Sequence, residues 1–467
     1  MVEYSFSAGN SGPAFNTYSD SPCKSSIYNK ILAPAIQAGV NGYHNNPETM
    51  LSEDTMAVTV NEGFNQLSTG FLEVPFTTVT AVQYQSSDYY PVYPGTLWEY
   101  LKNGSSKDTA RVLPKLVNVN GAMTSVFLCK CGDKEYYTSD SNGILLHRIF
   151  APDVSIPNIG VVNITATLIP PLKLADGIIS IGQTFQSSGI VKYNNLPTVG
   201  ILKLPYNASF SFTSTDNITV PAGNFDVLNI SGDLTIQGQS NVQTFYVAKD
   251  IGIVKQISNS NTLELESFYY AELLSPSTGE IIPSGTTYTI NWEASTDTAL
   301  FKLLYSTDKG TTWYSITPDL VTGTSYDWEV PSPRNNKTAC LIKIIGYDSE
   351  ETEKTSVISK FFTIEVVKLT SPDGGETLTS STSWPITWNT NATKTPVANV
   401  ILQYTINNGM TWKTITRLTG GNPGTYDWNI PVVSREKTKC KVKIILQNAN
   451  GKVVGTDMSN DYFTISP

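Results

Sequence analysis

The chain has 467 residues, enough for about three domains at roughly 150 residues each. Charged residues make up only 15% and the formal net charge is -9 at pH 7, which argues against a surface that tracks phosphates and so against nucleic acid as a partner. Abundant Tyr, Thr, Ser, Asn and Gly fit an all-β protein with polar turns, and no apolar run approaches the ~20 residues of a membrane helix.

Residues 1–85 match no pattern found further along the chain. MVEYSFSAGNSG lacks the basic and apolar regions of a signal peptide; because Asn/Thr/Tyr-rich β proteins are commonly exported, Val2 is expected just after a removed signal. SSIYNKILAPAIQAG at 25–39 places Ile27, Ile31, Ala35 and Ala38 at helical spacing, which predicts an amphipathic helix strained by Pro34. The segment reads as a partly helical assembly or docking region. VEYSFSAGNSG also alternates like a strand without a partner, and such an edge invites pairing with another copy.

Residues 86–270 read as a second unit. YYPVYPGTLWEY at 89–100, EYYTSDSNGILLH at 135–147, VPAGNFDVLNI at 220–230 and FYVAKDIGIVKQ at 245–256 together resemble a family of secreted bacterial domains that opens on YFPLxxGxxWxY. That resemblance implies an open, strongly curved antiparallel sheet, related in shape to bacterial lipoprotein carriers, in domains whose role is mostly undefined.

The remainder is a repeat. LLSPSTGE at 273–280 answers LTSPDGGE at 369–376, LLYSTDKGTTWYSI at 303–316 answers LQYTINNGMTWKTI at 402–415, and TSYDWEVP at 324–331 answers GTYDWNIP at 424–431. The offset grows only from 96 residues at Leu273 and Leu369 to 101 at Lys360 and Asp461, so short loop insertions separate strands of preserved register. About seven short strands per copy predict two Ig-like modules, residues 271–367 and 368–467. The pattern resembles the tandem Ig-like or fibronectin III-like modules of bacterial and archaeal surface proteins, and is more distantly similar to the N-terminal domain of Ser/Thr-rich cell-wall proteins.

Within the repeat, STDKGTTW at 306–313 matches the Asp-box hairpin of sialidase-like propellers. Asp308 and Gly310 fall at the tip and Trp313 on the following strand; the second copy has Asn407, Gly409 and Trp412. An amide oxygen can cap a turn as a carboxylate does, but it is no base, so a structural hairpin is expected. A sialidase would also need several boxes at blade spacing and an arginine cluster, and the chain has five arginines, Arg111, Arg148, Arg334, Arg417 and Arg435. Trp292, Trp313, Trp328, Trp388, Trp412 and Trp428 recur at equivalent positions, which suits core filling or hairpin clamping, with a sugar-stacking platform as the rival. Cys340 and Cys440, one per module, read as buried free thiols.

No catalytic, cofactor-binding or metal-ligating constellation is read from the sequence. The two histidines, His44 and His147, lack ligand spacing or a triad-like context. Cys129 and Cys131 are predicted to share one strand face, where they would rarely bridge each other, and either could pair with Cys23. Asp373 and Glu376 could bind calcium, although a solvated turn accounts for them as well. No cofactor is expected. The sequence points to a non-enzymatic, all-β, extracellular or cell-surface protein, a curved antiparallel sheet followed by two tandem Ig-like sandwiches. Its expected role is structural or adhesive, toward another protein or a polysaccharide. The alternatives are a carbohydrate-binding or hydrolase-accessory protein, a homo-oligomeric filament subunit, and a carrier of an apolar ligand.

Overall fold

The computed structural model describes residues 82–156, 160–196, 200–258 and 261–467. The expected helix at 25–39, His44 and Cys23 lie outside these residues. The described part is all-β: a closed, curved antiparallel sheet followed by two Ig-like sandwiches, with one short 3-10 turn, Ser86–Tyr89. The chain divides into two compact units that meet between Tyr269 and Tyr270.

The first unit contains β1 (Gln83–Gln85), β2 (Leu97–Lys102), β3 (Ser106–Val112), β4 (Val117–Val119), β5 (Ala122–Cys129), β6 (Lys134–Asp140), β7 (Gly143–Ile156) and β8 (Gly160–Asp176). It continues with β9 (Ile178–Ser180), β10 (Thr184–Leu196), β11 (Gly200–Val220), β12 (Gly223–Ile236), β13 (Gln239–Ala248), β14 (Gly252–Ser258) and β15 (Asn261–Tyr269). The hydrogen-bonded order is β3-β2-β15-β14-β13-β12-β11-β10-β8-β7-β6-β5. The sheet is not open, as the resemblance implied. Ala110, Arg111 and Val112 of β3 pair with Cys129, Leu128 and Phe127 of β5 and close it into a barrel, which removes both free edges.

Strict alternation decides which face turns inward. Along β11, Leu202, Leu204, Tyr206, Ala208, Phe210 and Phe212 are buried while the residues between them are more exposed, the period-2 pattern of a strand with one face on a core. Register shifts between Leu146 and Arg148 and between Ala151 and Val154 mark bulges, and bulges bend a long strand into the curve that closure needs. A short ribbon, β1 paired with β9, and the turn Ser86–Tyr89 are tied to the barrel by Ser86 N–H to Gly177 O at 2.9 Å and Asp250 N–H to Asp88 O at 2.7 Å.

In the second unit each sandwich sets a three-stranded sheet against a larger one. In the first, Ala271–Leu273, Thr287–Ala294 and Ser325–Glu329 face a sheet built on Leu300–Ser306, Lys337–Tyr347 and Phe362–Glu365, with Ile281–Pro283 joined parallel to the last of these. The second copy repeats this arrangement strand for strand, down to the parallel pairing of Thr377–Thr379 with Phe463–Ser466. Trp328 is buried against Tyr305 at 5.3 Å and Phe362 at 6.3 Å between ring centroids, and Trp428 repeats the contact with Tyr404 at 5.1 Å and Phe463 at 6.4 Å. Such aromatic pairs contribute about 0.5–1.5 kcal/mol each beyond the area they bury.

The junction between the modules is sealed. Val366 and Val367 are fully buried, and Asn336 of the first module holds both: its Oδ1 accepts Val366 N–H at 2.7 Å and Val367 N–H at 3.1 Å, and its Nδ2 donates to Val367 O at 2.8 Å. Ala392 N–H donates to Ser284 O at 3.2 Å, and Ser284 Oγ donates back to Ala392 O at 2.6 Å. Gly285 lies so close to Ala392 that a Cβ there would overlap the alanine methyl.

Candidate functional site

The strongest candidate is a cavity of about 180 Å³ inside the barrel. It forms because the inward positions of β2, β3, β5, β6, β13 and β14 converge beneath the Ser86–Tyr89 turn, and these positions carry rings. Tyr90, Phe127 and Tyr137 lie 5.0–5.5 Å apart between centroids, and Trp98 stacks on Phe127 at 5.6 Å. Three rings of the wall are anchored through a polar atom. Trp98 Nε1 donates to Ile251 O at 2.6 Å, Tyr100 Oη to Ile253 O at 2.9 Å, and Tyr137 Oη to Glu135 Oε2 at 2.8 Å.

Besides the rings and Cys129, six of the described lining residues are polar, Ser86, Asp108, Thr109, Glu135, Gln243 and Gln256, and interrupt this apolar wall. Burial raises the Glu135 carboxyl above the ordinary carboxylate range, against the lowering effect of the Tyr137 hydrogen bond. Desolvation dominates because the group sits among rings. The Cys129 thiol, also on the wall, is pushed well up by burial and then by Glu135, so it is a poor nucleophile. Gln243 Oε1 accepts Gln256 Nε2 at 2.7 Å, whereas Gln243 Nε2 and Ser86 Oγ are buried without a partner. None of Glu135, Gln243 and Ser86 stands out in the sequence. Only their strand parity, shared with Tyr137 and Phe245, hints that Glu135 and Gln243 point inward.

The hairpin residues lie in the second unit. Ser306 Oγ donates to Asp308 Oδ1 at 2.8 Å and accepts Gly310 N–H at 2.9 Å, while Asp308 Oδ1 also accepts Thr312 N–H at 2.8 Å. Lys309 and Gly310 have φ of 61° and 85°, and Trp313 covers Gly310. In the second copy Asn407 Oδ1 accepts Thr405 Oγ1 at 2.8 Å and Thr411 N–H at 3.0 Å, and Gly409, φ 77°, lies against Trp412. Lys343 stands over Trp313 and Lys443 over Trp412. Trp292, Trp328, Trp388 and Trp428 are buried in the cores.

Cys340 and Cys440 are buried and free. Cys129 is also free, and Cys131 is disulfide-bonded. The expected common strand face of Cys129 and Cys131 is not formed: β5 ends at Cys129, and Gly132 N–H to Cys129 O at 3.0 Å folds residues 130–133 into a turn. The glycine takes φ 94°, which ends the strand there. Cys23 lies outside the described residues. His147 is buried, its Nε2 3.0 Å from Thr138 Oγ1. The Asp373 and Glu376 carboxylates are turned onto main-chain N–H groups: Glu376 accepts Asp373 and Gly374, and Asp373 accepts Asn460. Among the described residues no group of three or more His, Cys, Asp or Glu is placed to hold a metal, and no helix is long and apolar enough to cross a membrane.

No protein-family model and no curated protein matches the chain. Solved structures match parts of the chain at low identity and low TM-score. Fibronectin(III)-like modules of Clostridium thermocellum CbhA are 16% identical, with TM-score 0.16, and cover 42% of this chain and 93% of theirs. A hypothetical lipoprotein, YmcC of Escherichia coli, is 10% identical, with TM-score 0.22, over 39% of this chain and 88% of its own. A tetra-tandem repeat from the extending region of a large adhesion protein is 13% identical, with TM-score 0.16, over 75% of this chain and 98% of its own. At these values no function passes from them to this chain. The strand pairings define the class: an all-β protein with a closed barrel and two tandem Ig-like sandwiches.

Proposed function

We propose that this is a non-enzymatic protein of the cell exterior with a structural or adhesive role, in which the tandem modules act as a stiff spacer. The observation that carries this reading is the sealed junction. Val366 and Val367 are buried and held by Asn336, so the modules are joined by packed backbone and not by a flexible linker. A sugar-stacking role is less well supported, since four of the recurring tryptophans fill cores and the other two lie under lysines. Antibody labelling of intact cells of the source organism, before and after surface proteolysis, tests the proposal. Labelling lost on proteolysis is expected. Labelling that appears only after lysis would overturn it.

The cavity favours a second reading, in which the barrel carries a small apolar ligand. A ring-lined space within a barrel is a common form for a ligand site. Native mass spectrometry of the full chain purified without detergent should reveal a co-purified mass released on unfolding. A bare chain mass that is unchanged after incubation with small apolar molecules would count against it.

A further inference from the structure

We infer that the barrel cavity binds a small uncharged molecule about one ring in size and bearing a hydroxyl, a compound of the phenol class. This rests on the carrier reading and adds the size, polarity and charge of the ligand.

Size comes from the space itself. About 180 Å³ is available, and an apolar cavity of ~150 Å³ accommodates a benzene-sized guest. The walls favour a ring over an alkyl chain. Tyr90, Phe127 and Tyr137 already meet in tilted and edge-on arrangements at 5.0–5.5 Å, the geometry in which another aromatic ring is also favoured.

Polarity comes from atoms left over when the barrel closes. Gln243 is 3% exposed and lines the cavity; its oxygen is taken by Gln256, and its Nε2 has no partner. Ser86, 1% exposed on the same cavity, has an unpartnered hydroxyl as well. A buried donor left unpaired is costly, and a ligand oxygen would recover that cost. Exchanging nitrogen and oxygen in both amides would leave an acceptor unpaired instead, and a hydroxyl serves either arrangement because it donates and accepts.

Charge follows from the remaining lining. Glu135 and Asp108 are acidic, and among the described residues no Lys, Arg or His lines the cavity, so an anionic ligand would find no counter-charge on that wall. Burial among rings favours the neutral form of Glu135, so a cation would not find a full counter-charge there either.

Titration calorimetry on the full-length protein with four probes of similar size separates these points: phenol, toluene, benzoate and benzylamine. Phenol is expected to bind about ten-fold more tightly than toluene, with benzoate and benzylamine weaker than both. In Gln243→Leu, phenol should fall to the affinity of toluene while toluene is unchanged. Equal binding of phenol and toluene by the unmodified protein would overturn the hydroxyl assignment and leave the carrier reading standing. Tightest binding of benzylamine or benzoate would overturn the charge assignment. Binding of none of the four would sink the carrier reading itself. Should Gln243→Leu fail to fold, the ranking by the unmodified protein decides alone.

Discussion

The thiols of Cys340 and Cys440 show how one buried atom ties stability to pH. Each donates to a main-chain oxygen, Lys337 O at 3.3 Å and Lys437 O at 3.2 Å, and burial pushes each pKa up to about 11. A raised value means that folding prefers the protonated thiol. The stability it adds is therefore complete below the ordinary thiol range and is lost as pH rises from there toward about 11, by at most about 3 kcal/mol per thiol. Denaturant midpoints measured from pH 8 to 11 should fall more steeply for the native sequence than for Cys340→Ala/Cys440→Ala, and thiol reagents should label both cysteines slowly until denaturant is added. Fast labelling of the folded protein would contradict this. Asp308 has the opposite sign. Its carboxyl is held below the usual range, first by Thr312 N–H and then by Ser306 Oγ, so its contribution is present above that range and is lost as pH falls through the lowered value. Asp308→Asn, which copies Asn407, should nearly preserve the melting temperature at pH 7, whereas Asp308→Ala should lower it. Equal melting of all three would show that the capping side chain is idle.

Strands, hairpins and junctions differ in how plainly the sequence announces them. The module strands were legible because two copies carry the same alternation around the same turns, and repetition separates register from coincidence. Closure of the barrel was not. The pairing of β3 with β5 skips β4, so no local period or turn signal marks it, and only the folded sheet brings Ala110 beside Cys129. The cavity was hidden for the same reason, since Glu135 and Gln243 reach it from strands more than a hundred residues apart. At the module junction the sequence runs from Val367 into Lys368 and Leu369 without a Gly/Ser stretch, but nothing in it marks the clamp. Asn336-Lys-Thr reads locally as a glycosylation sequon, whereas the structure spends that amide on backbone 30 residues further along. Asn336→Ala removes three hydrogen bonds from a buried junction, and should destabilise the module pair by about 1–3 kcal/mol and broaden the range of inter-module angles. Chemical denaturation and small-angle scattering of residues 270–467 check the two effects. A variant as stable and as stiff as the parent would mean that packing of Val366 and Val367 alone fixes the joint.

At the scale of the whole chain, the two compact units differ in redox chemistry as well as in architecture. The sandwiches have their own cores, each with one free buried thiol, so nothing in them responds to reductant. The barrel unit contains Cys131, which is disulfide-bonded at the turn leaving β5, the strand that closes the sheet. A non-reducing digest should therefore yield a peptide cross-linked at Cys131 that reductant separates. A disulfide removes loop entropy from the unfolded state, and such bonds typically contribute about 2–4 kcal/mol. Calorimetry of the full chain should therefore resolve separate barrel and module transitions, with reductant lowering the first and leaving the second in place. Cys131→Ser should reproduce the effect of reductant and make the protein insensitive to it. A reductant that shifts both transitions equally would mean that the units unfold together, and one that shifts neither would deny the disulfide any part in holding the barrel closed.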